Sequence, residues 1–188
     1  MNSQHEISHS IAYVRGSDSN TTSFYMGSLM SFLAKGEDTD GRFALMEFQS
    51  KPGNEPPPHI HDREHEFYYV LEGAMVFYIG DQVIEVKAGE GVFLPQGKAH
   101  AFNIRSERLR TLILVVASGQ QPVGLDRYFL EMGEPANIMS LPTEGVTYAT
   151  ADPEHAISVG SRYGIRILSP EETSELIPSY PRHGMAAI

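Results

Sequence analysis

Between Phe24 and Ser118 the apolar residues come in short runs broken by glycine, proline and charged residues. Short runs with turn residues between them are the pattern of an all-β sandwich or barrel. The spacing predicts strands at Tyr25–Leu33, Phe43–Phe48, Glu66–Leu71, Ala74–Ile79, Gln82–Val86, Gly91–Leu94, Ala101–Ile104 and Leu109–Val116. Glu72-Gly73, Gly80-Asp81 and Ala88-Gly89 fall between neighbouring runs, and Gly80 suits the positive φ of a two-residue hairpin.

Past Ser118 the period changes. Leu125, Tyr128, Phe129 and Met132 recur at i, i+3, i+4 and i+7 and stop at Gly133, with Pro135 beyond, which predicts a short amphipathic helix. A second helix is predicted with Asp152 at its N-cap, Pro153 at its first position and Gly164 just past its end. Ser169-Pro170-Glu171-Glu172 reads as a capping box for a third, ending before Pro178. Helices this short do not hold alone, so they are expected to cover an edge or a mouth of the β unit. The expectation is one domain over residues 1–188, with a barrel core at about 24–118 and a C-terminal helical cover at about 122–178.

Composition narrows the function classes. Hydrophobic residues make up 41 % of the 188, with no apolar run long enough for a membrane span. The N-terminus lacks the basic start and apolar stretch of a secretory signal, so a cytoplasmic location is expected. Fourteen Lys and Arg against twenty-four Asp and Glu give a formal charge of −10, the wrong sign for tracking a phosphate backbone, and nucleic acid is not an expected partner. With no cysteine, any metal must be held by nitrogen and oxygen.

Candidate chemistry concentrates in GNEPPPHIHDREHEFYYVLEG, Gly53 to Gly73, which holds three of the chain's eight histidines. On a strand His59 and His61 share a face while Ile60 points away. Alone, an H-x-H is more often a pair of solvated or core-capping histidines. Glu66 opens the next run, and a turn over Asp62–His65 can return its carboxylate to the same face. His100, after a Pro95-Gln96-Gly97 turn, is the candidate fourth ligand from a distant segment. His65 is the rival to Glu66, although adjacent strand residues face opposite ways. His5, His9, His155 and His183 have no partner spacing and read as surface residues. Asp62, Arg63 and Glu64 read as an exposed turn, and Pro56, Pro57 and Pro58 as an extended approach to the site.

Gly53, His59, His61, Glu66 and Gly73 fit G-x5-H-x-H-x4-E-x6-G, and Gly89, Pro95, Gly97 and His100 fit G-x5-P-x-G-x2-H. These are the two motifs of the cupin superfamily, which the chain resembles. Asn103 stands one residue closer to His100 than the second motif's terminal asparagine. The flanking phrases GSLMSFLAKGEDTDGRFALMEF and GSRYGIRILSP resemble stretches of the single-domain, quercetin 2,3-dioxygenase-like cupins. The resemblance implies a double-stranded β-helix, or jelly-roll barrel, holding one divalent metal on His59, His61, Glu66 and His100. It also implies a dioxygenase of small enolic or aromatic molecules in which Glu66 is both ligand and general base, taking the substrate's hydroxyl proton.

Three imidazoles and a carboxylate suit Fe, Mn, Co, Ni or Zn and leave positions for water, substrate or O2 on an octahedral ion. The same set also serves an oxygen-independent isomerase or decarboxylase, or a non-catalytic barrel that only captures a small molecule. With Glu66 inward, alternation turns Tyr68 and Val70 inward and Phe67, Tyr69 and Leu71 outward. Both sets are apolar, so the outer one is expected to meet the N-terminal segment or a second subunit, and a homodimer is the expected assembly. Met46, Phe48, Tyr68, Met75, Phe77, Phe93 and Phe102 are the candidates for an apolar substrate wall, with ordinary core packing the competing explanation for each.

Overall fold

A computed structural model describes residues 11–142 and 152–181; His5, His9 and His183 lie outside them. The described chain forms β1 (Thr22–Tyr25), β2 (Ser28–Ala34), β3 (Phe43–Ser50), β4 (His59–His61), β5 (Glu64–Glu72), β6 (Ala74–Ile79) and β7 (Gln82–Lys87). It continues through β8 (Gly91–Leu94), β9 (His100–Ile104), β10 (Leu109–Ala117), helix α1 (Leu125–Met132) and β11 (Glu134–Pro135). Helix α2 (Pro153–Arg162), β12 (Ile165–Ile167) and helix α3 (Pro170–Leu176) complete it.

The strands make two antiparallel sheets, ordered β11-β1-β2-β3-β10-β5-β8 and β12-β4-β9-β6-β7. Facing each other, they form the jelly-roll barrel with short C-terminal helices. The side-chain period of two decides what fills it. Along β5, Glu64, Glu66, Tyr68 and Val70 are buried, while Phe67, Tyr69 and Leu71 are exposed on the outside. Met30, Met46, Tyr68, Met75, Phe77, Phe102 and Ile113 meet in the core between the sheets. Each such side chain contributes roughly 1.5–3 kcal/mol by leaving water.

The outer face of the five-stranded sheet is covered differently. Ile60, Val76, Tyr78, Ala99 and Ala101 form a second cluster closed by Leu168 and Ile177 from the C-terminal segment. Ile60 thus points away from its histidine neighbours into an apolar layer, which fixes the register of β4.

One predicted strand is two. Tyr25–Leu33 breaks at Met26 and Gly27, whose φ values of 45° and 81° turn the chain back so that β1 pairs with β2. Two successive positive φ values are what a tight hairpin of this hand requires, and Met is an uncommon residue to supply one. A Cβ on Gly27 would lie 2.6 Å from Asn54 Nδ2, so any other residue in this turn would have to displace the Asn54 side chain. Elsewhere the turn grammar holds: Gly73, Gly80 and Gly89 have positive φ, Asp152 caps α2 by accepting from His155 N, and Gly164 follows α2 with φ 78°.

Candidate metal centre

The two sheets contribute unequal chemistry to one point. β4 supplies His59 and His61, and β9, its antiparallel neighbour with His59 opposite His100, supplies the third imidazole. The turn after β8 is tied back to β4 by Gly97 N donating to His61 O at 2.9 Å. Glu66 arrives from the opposing sheet on β5. One ligand-type atom from each of these four buried residues lies within 4.8 Å of the others. Glu66 Oε2 is 3.0 Å from His100 Nε2 and 3.4 Å from His61 Nε2.

The outward-facing ring nitrogens decide which atoms remain available. His59 Nδ1 donates to Pro57 O at 2.8 Å, His61 Nδ1 to Glu64 Oε1 at 2.8 Å, and His100 Nδ1 to Lys98 O at 3.0 Å. Carbonyl and carboxylate oxygens only accept, so each ring in its neutral form carries the proton on Nδ1 and presents a bare Nε2 to the centre. Among the described residues His61 Nε2, His100 Nε2 and Glu66 Oε2 have no hydrogen-bond partner although they are buried. Buried polar atoms are rarely left so, and three of them converging with an imidazole on one point are a donor set that could hold a metal ion.

Electrostatics follow from the crowding. Burial drives the His59 imidazolium down to about 3, with His100 and His61 adding to the effect. Burial alone would raise Glu66, but the positive charge available on His61 and His100 outweighs it and holds the carboxyl at about 2. For His61 burial works downward, and Glu66 and Glu64 reverse it to a net rise. Burial, reinforced by Glu66, pushes the Tyr68 phenol well above its ordinary value.

These directions give a stability profile for the metal-free protein. A raised His61 stabilises fully below its ordinary 6.5 and changes nothing further on acidification. A depressed His59 means that the unfolded chain binds the extra proton between 6.5 and about 3, and Glu66 adds its own loss below 4.5. Metal-free protein is therefore expected to melt at progressively lower temperature as pH falls below 6.5. His59→Gln should flatten the stretch between 6.5 and 4.5, as thermal melts across pH would show.

A cavity opens beside His59 and Glu66. Of the residues expected to form its wall, Phe48, Tyr68 and Phe102 line it. Met46, Met75 and Phe77 are instead wholly buried core residues behind it. Phe93 is a correction: it is 54 % exposed on the outer side of β8, opposite Phe67 and beside the His65 ring. Val92 and Leu94 take the inward positions, so parity sends the phenylalanine out. His65 shares that outer face, where Gln96 N donates to its Nδ1, and takes no part in the cluster. His155 is exposed on α2.

Glu64 is the second correction. Read as part of an exposed turn, it is 1 % exposed and its carboxylate receives His61 Nδ1. The signal was present, since Glu64, Glu66 and Tyr68 share one parity. Other wall residues come from the C-terminal part: Leu125, Tyr128 and Phe129 of α1, and Ile165 and Ile167 of β12. β12 pairs with β4, setting Ile165 opposite His61 and Ile167 opposite His59. Tyr128 also meets Tyr25 of β1, the two hydroxyl oxygens 2.7 Å apart.

Facing antiparallel sheets with three imidazoles on one and a carboxylate on the other define a β-barrel with a candidate metal centre. The chain belongs to the cupin superfamily: the family model for the cupin domain matches residues 46–117. An uncharacterized protein of Streptomyces coelicolor is 31 % identical over 88 residues, covering 47 % of this chain and 78 % of that protein. Quercetin 2,3-dioxygenase of Bacillus subtilis is 24 % identical over 116 residues, or 62 % of this chain, and the chain spans only 33 % of that enzyme's length. A Thermotoga maritima structure described as a predicted oxalate decarboxylase has a TM-score of 0.45 at 25 % identity, covering 48 % of this chain and 80 % of that one. No helix among the described residues is long and apolar enough to cross a membrane.

Proposed function

We propose that the protein is a cytoplasmic, metal-dependent dioxygenase of the quercetinase type, acting on a flavonol-like or other small enolic or aromatic molecule. The observation that carries this reading is the lining of the cavity: aromatic and aliphatic side chains surround the approach to Glu66 and His59, and no lysine or arginine is among the described residues that line it. Apart from the metal itself, this wall offers an organic acid or sugar phosphate no cation to replace its hydration, whereas a largely apolar ring system needs what the wall offers. A divalent transition ion held by His59, His61, Glu66 and His100 would supply Lewis-acid activation of a substrate oxygen and, for a redox-active ion, a route for electrons to O2.

The chain's own residues account for the rest. In the metal-free site the charge available on His61 and His100 holds the Glu66 carboxyl low, so the side chain is a carboxylate that can accept a proton. A carboxylate base suits an acidic hydroxyl, such as an enol or phenol beside a carbonyl, whose proton would pass to it as the substrate seats. Tyr68 OH donates to Glu66 Oε1 at 3.4 Å, and its depressed acidity keeps it a neutral donor that orients this oxygen. Leu125, Tyr128 and Phe129 exclude water from above.

Oxygen-electrode assays with flavonols and with small organic acids, run aerobically and anaerobically, test the reading. Oxygen consumption stoichiometric with loss of a flavonol is expected. Anaerobic turnover of an organic acid, or ligand binding without turnover across the panel, would replace it with one of the alternative activities.

The assembly proposed is a homodimer. Phe43, Phe67, Tyr69, Phe93 and Val116 lie 39–54 % exposed on the outer face of the seven-stranded sheet. Strand pairing makes them contiguous, with Phe67 opposite both Leu114 and Phe93, and Val116 opposite Phe43. A patch of this kind is more than scattered surface hydrophobicity. Sedimentation at micromolar concentration should give a dimer that Phe67→Glu converts to monomer; wild-type monomer would remove the proposal.

A further inference from the structure

Glu64 is the most completely engaged carboxylate near the site. It is 1 % exposed, and among the described residues no lysine or arginine pairs with it. A buried carboxylate is costly unless donors reach its oxygens, and three do. Oε1 accepts from His61 Nδ1 at 2.8 Å and from Leu125 N at 3.2 Å, while Oε2 accepts from Gly124 N at 2.8 Å. The two amides open α1, whose first-turn N–H groups have no partner inside the helix and whose N-terminus favours negative charge. The glycine is required there, because a Cβ on Gly124 would fall 2.0 Å from Tyr163 O. The same helix presents Leu125, Tyr128 and Phe129 to the cavity.

We infer that Glu64 is a positioning residue that ties the candidate ligand His61 to the substrate wall carried by α1, so that filling the metal site and ordering that wall are coupled. The inference rests on the metal-binding part of the proposed function. Once Nε2 of His61 gives its lone pair to a cation, Nδ1–H becomes a stronger donor, and the carboxylate it holds is fixed in line with the amides of Gly124 and Leu125. Coupling of this kind is reciprocal: an ordered α1 strengthens metal binding as much as metal orders α1. A substrate that packs against Tyr128 and Phe129 would thereby tighten the site beneath it.

The test uses the full chain, stripped of metal and then titrated with Zn(II), with amide hydrogen exchange as the readout. Zinc is expected to slow exchange at Gly124 and Leu125 by roughly tenfold or more. Glu64→Gln removes the charge and leaves a single acceptor oxygen; it should weaken zinc affinity by about 10- to 100-fold, measured against a chelator, and abolish the zinc-dependent protection. Glu64→Asp keeps the charge but is one methylene shorter, and should fall between the two. In the Co(II) form the visible ligand-field spectrum should shift in Glu64→Gln, which a loss of packing alone would not cause. Wild-type protein that binds neither Zn(II) nor Fe(II), Mn(II), Co(II) or Ni(II) would defeat the metal reading itself. Zinc binding with unchanged exchange at residues 124 and 125, or equal affinity in the charge-removing variant, would overturn the coupling while leaving that reading intact. Should Glu64→Gln not fold, the wild-type exchange measurement and Glu64→Asp decide the matter.

Discussion

Glu66→Gln should lower oxygenase turnover by about 10²- to 10⁴-fold while leaving the protein folded and able to take up metal with weaker affinity. The side chain sits where two roles overlap. Oε2 faces His61 and His100 with no hydrogen-bond partner, and Oε1 receives only the long contact from Tyr68. Glutamine keeps a carbonyl oxygen of nearly the same shape, so the loss reports chiefly the missing negative charge and the missing base. Metal content and turnover both equal to wild type would show that Glu66 is neither ligand nor base. Loss of turnover with metal content unchanged would assign it the base role alone.

The largest stability effect is expected at Phe77. Its ring is fully buried and packs against Tyr68 at 5.1 Å and Phe102 at 5.6 Å between centroids, both of which line the cavity. Phe77→Ala should cost about 3–5 kcal/mol. For a chain of this size that lowers the melting temperature by roughly 6–20 °C. The vacated space also lets Tyr68 and Phe102 lean away from the site, so affinity for an aromatic ligand should fall with stability. Calorimetry showing a change below about 1 kcal/mol would mean that the ring does not pack as described.

Much of the site was legible because strand alternation and turn chemistry are local. The H-x-H spacing puts two imidazoles on one face, a turn returns Glu66, and Gly97 re-aims the chain ahead of His100; the four side chains meet within 4.8 Å. What local rules cannot give is register between distant strands. Phe93 was a plausible wall residue by size, but its direction depends on pairing with Phe67, and a shift of one residue reverses it. Glu64 looks exposed in the sequence because charged residues in a short D-R-E segment usually mark a solvated turn, whereas β5 begins two residues earlier than the predicted Glu66–Leu71 run.

The C-terminal contribution was hidden for a different reason. The i, i+3, i+4 stripe of α1 announces an apolar face, yet nothing in that stripe says that Tyr128 and Phe129 line a cavity rather than a core. The Tyr25–Leu33 run likewise conceals its break, because Met26 is an unusual residue for a positive φ.

The most direct measurement is elemental analysis of protein purified without added metal or chelator, alongside His100→Ala. Close to one equivalent of a single divalent transition metal per chain is predicted for wild type, with near-complete loss in the variant. A folded wild-type protein that carries none, and that binds neither Fe(II), Mn(II), Co(II), Ni(II) nor Zn(II) when they are supplied, would contradict the account at its root.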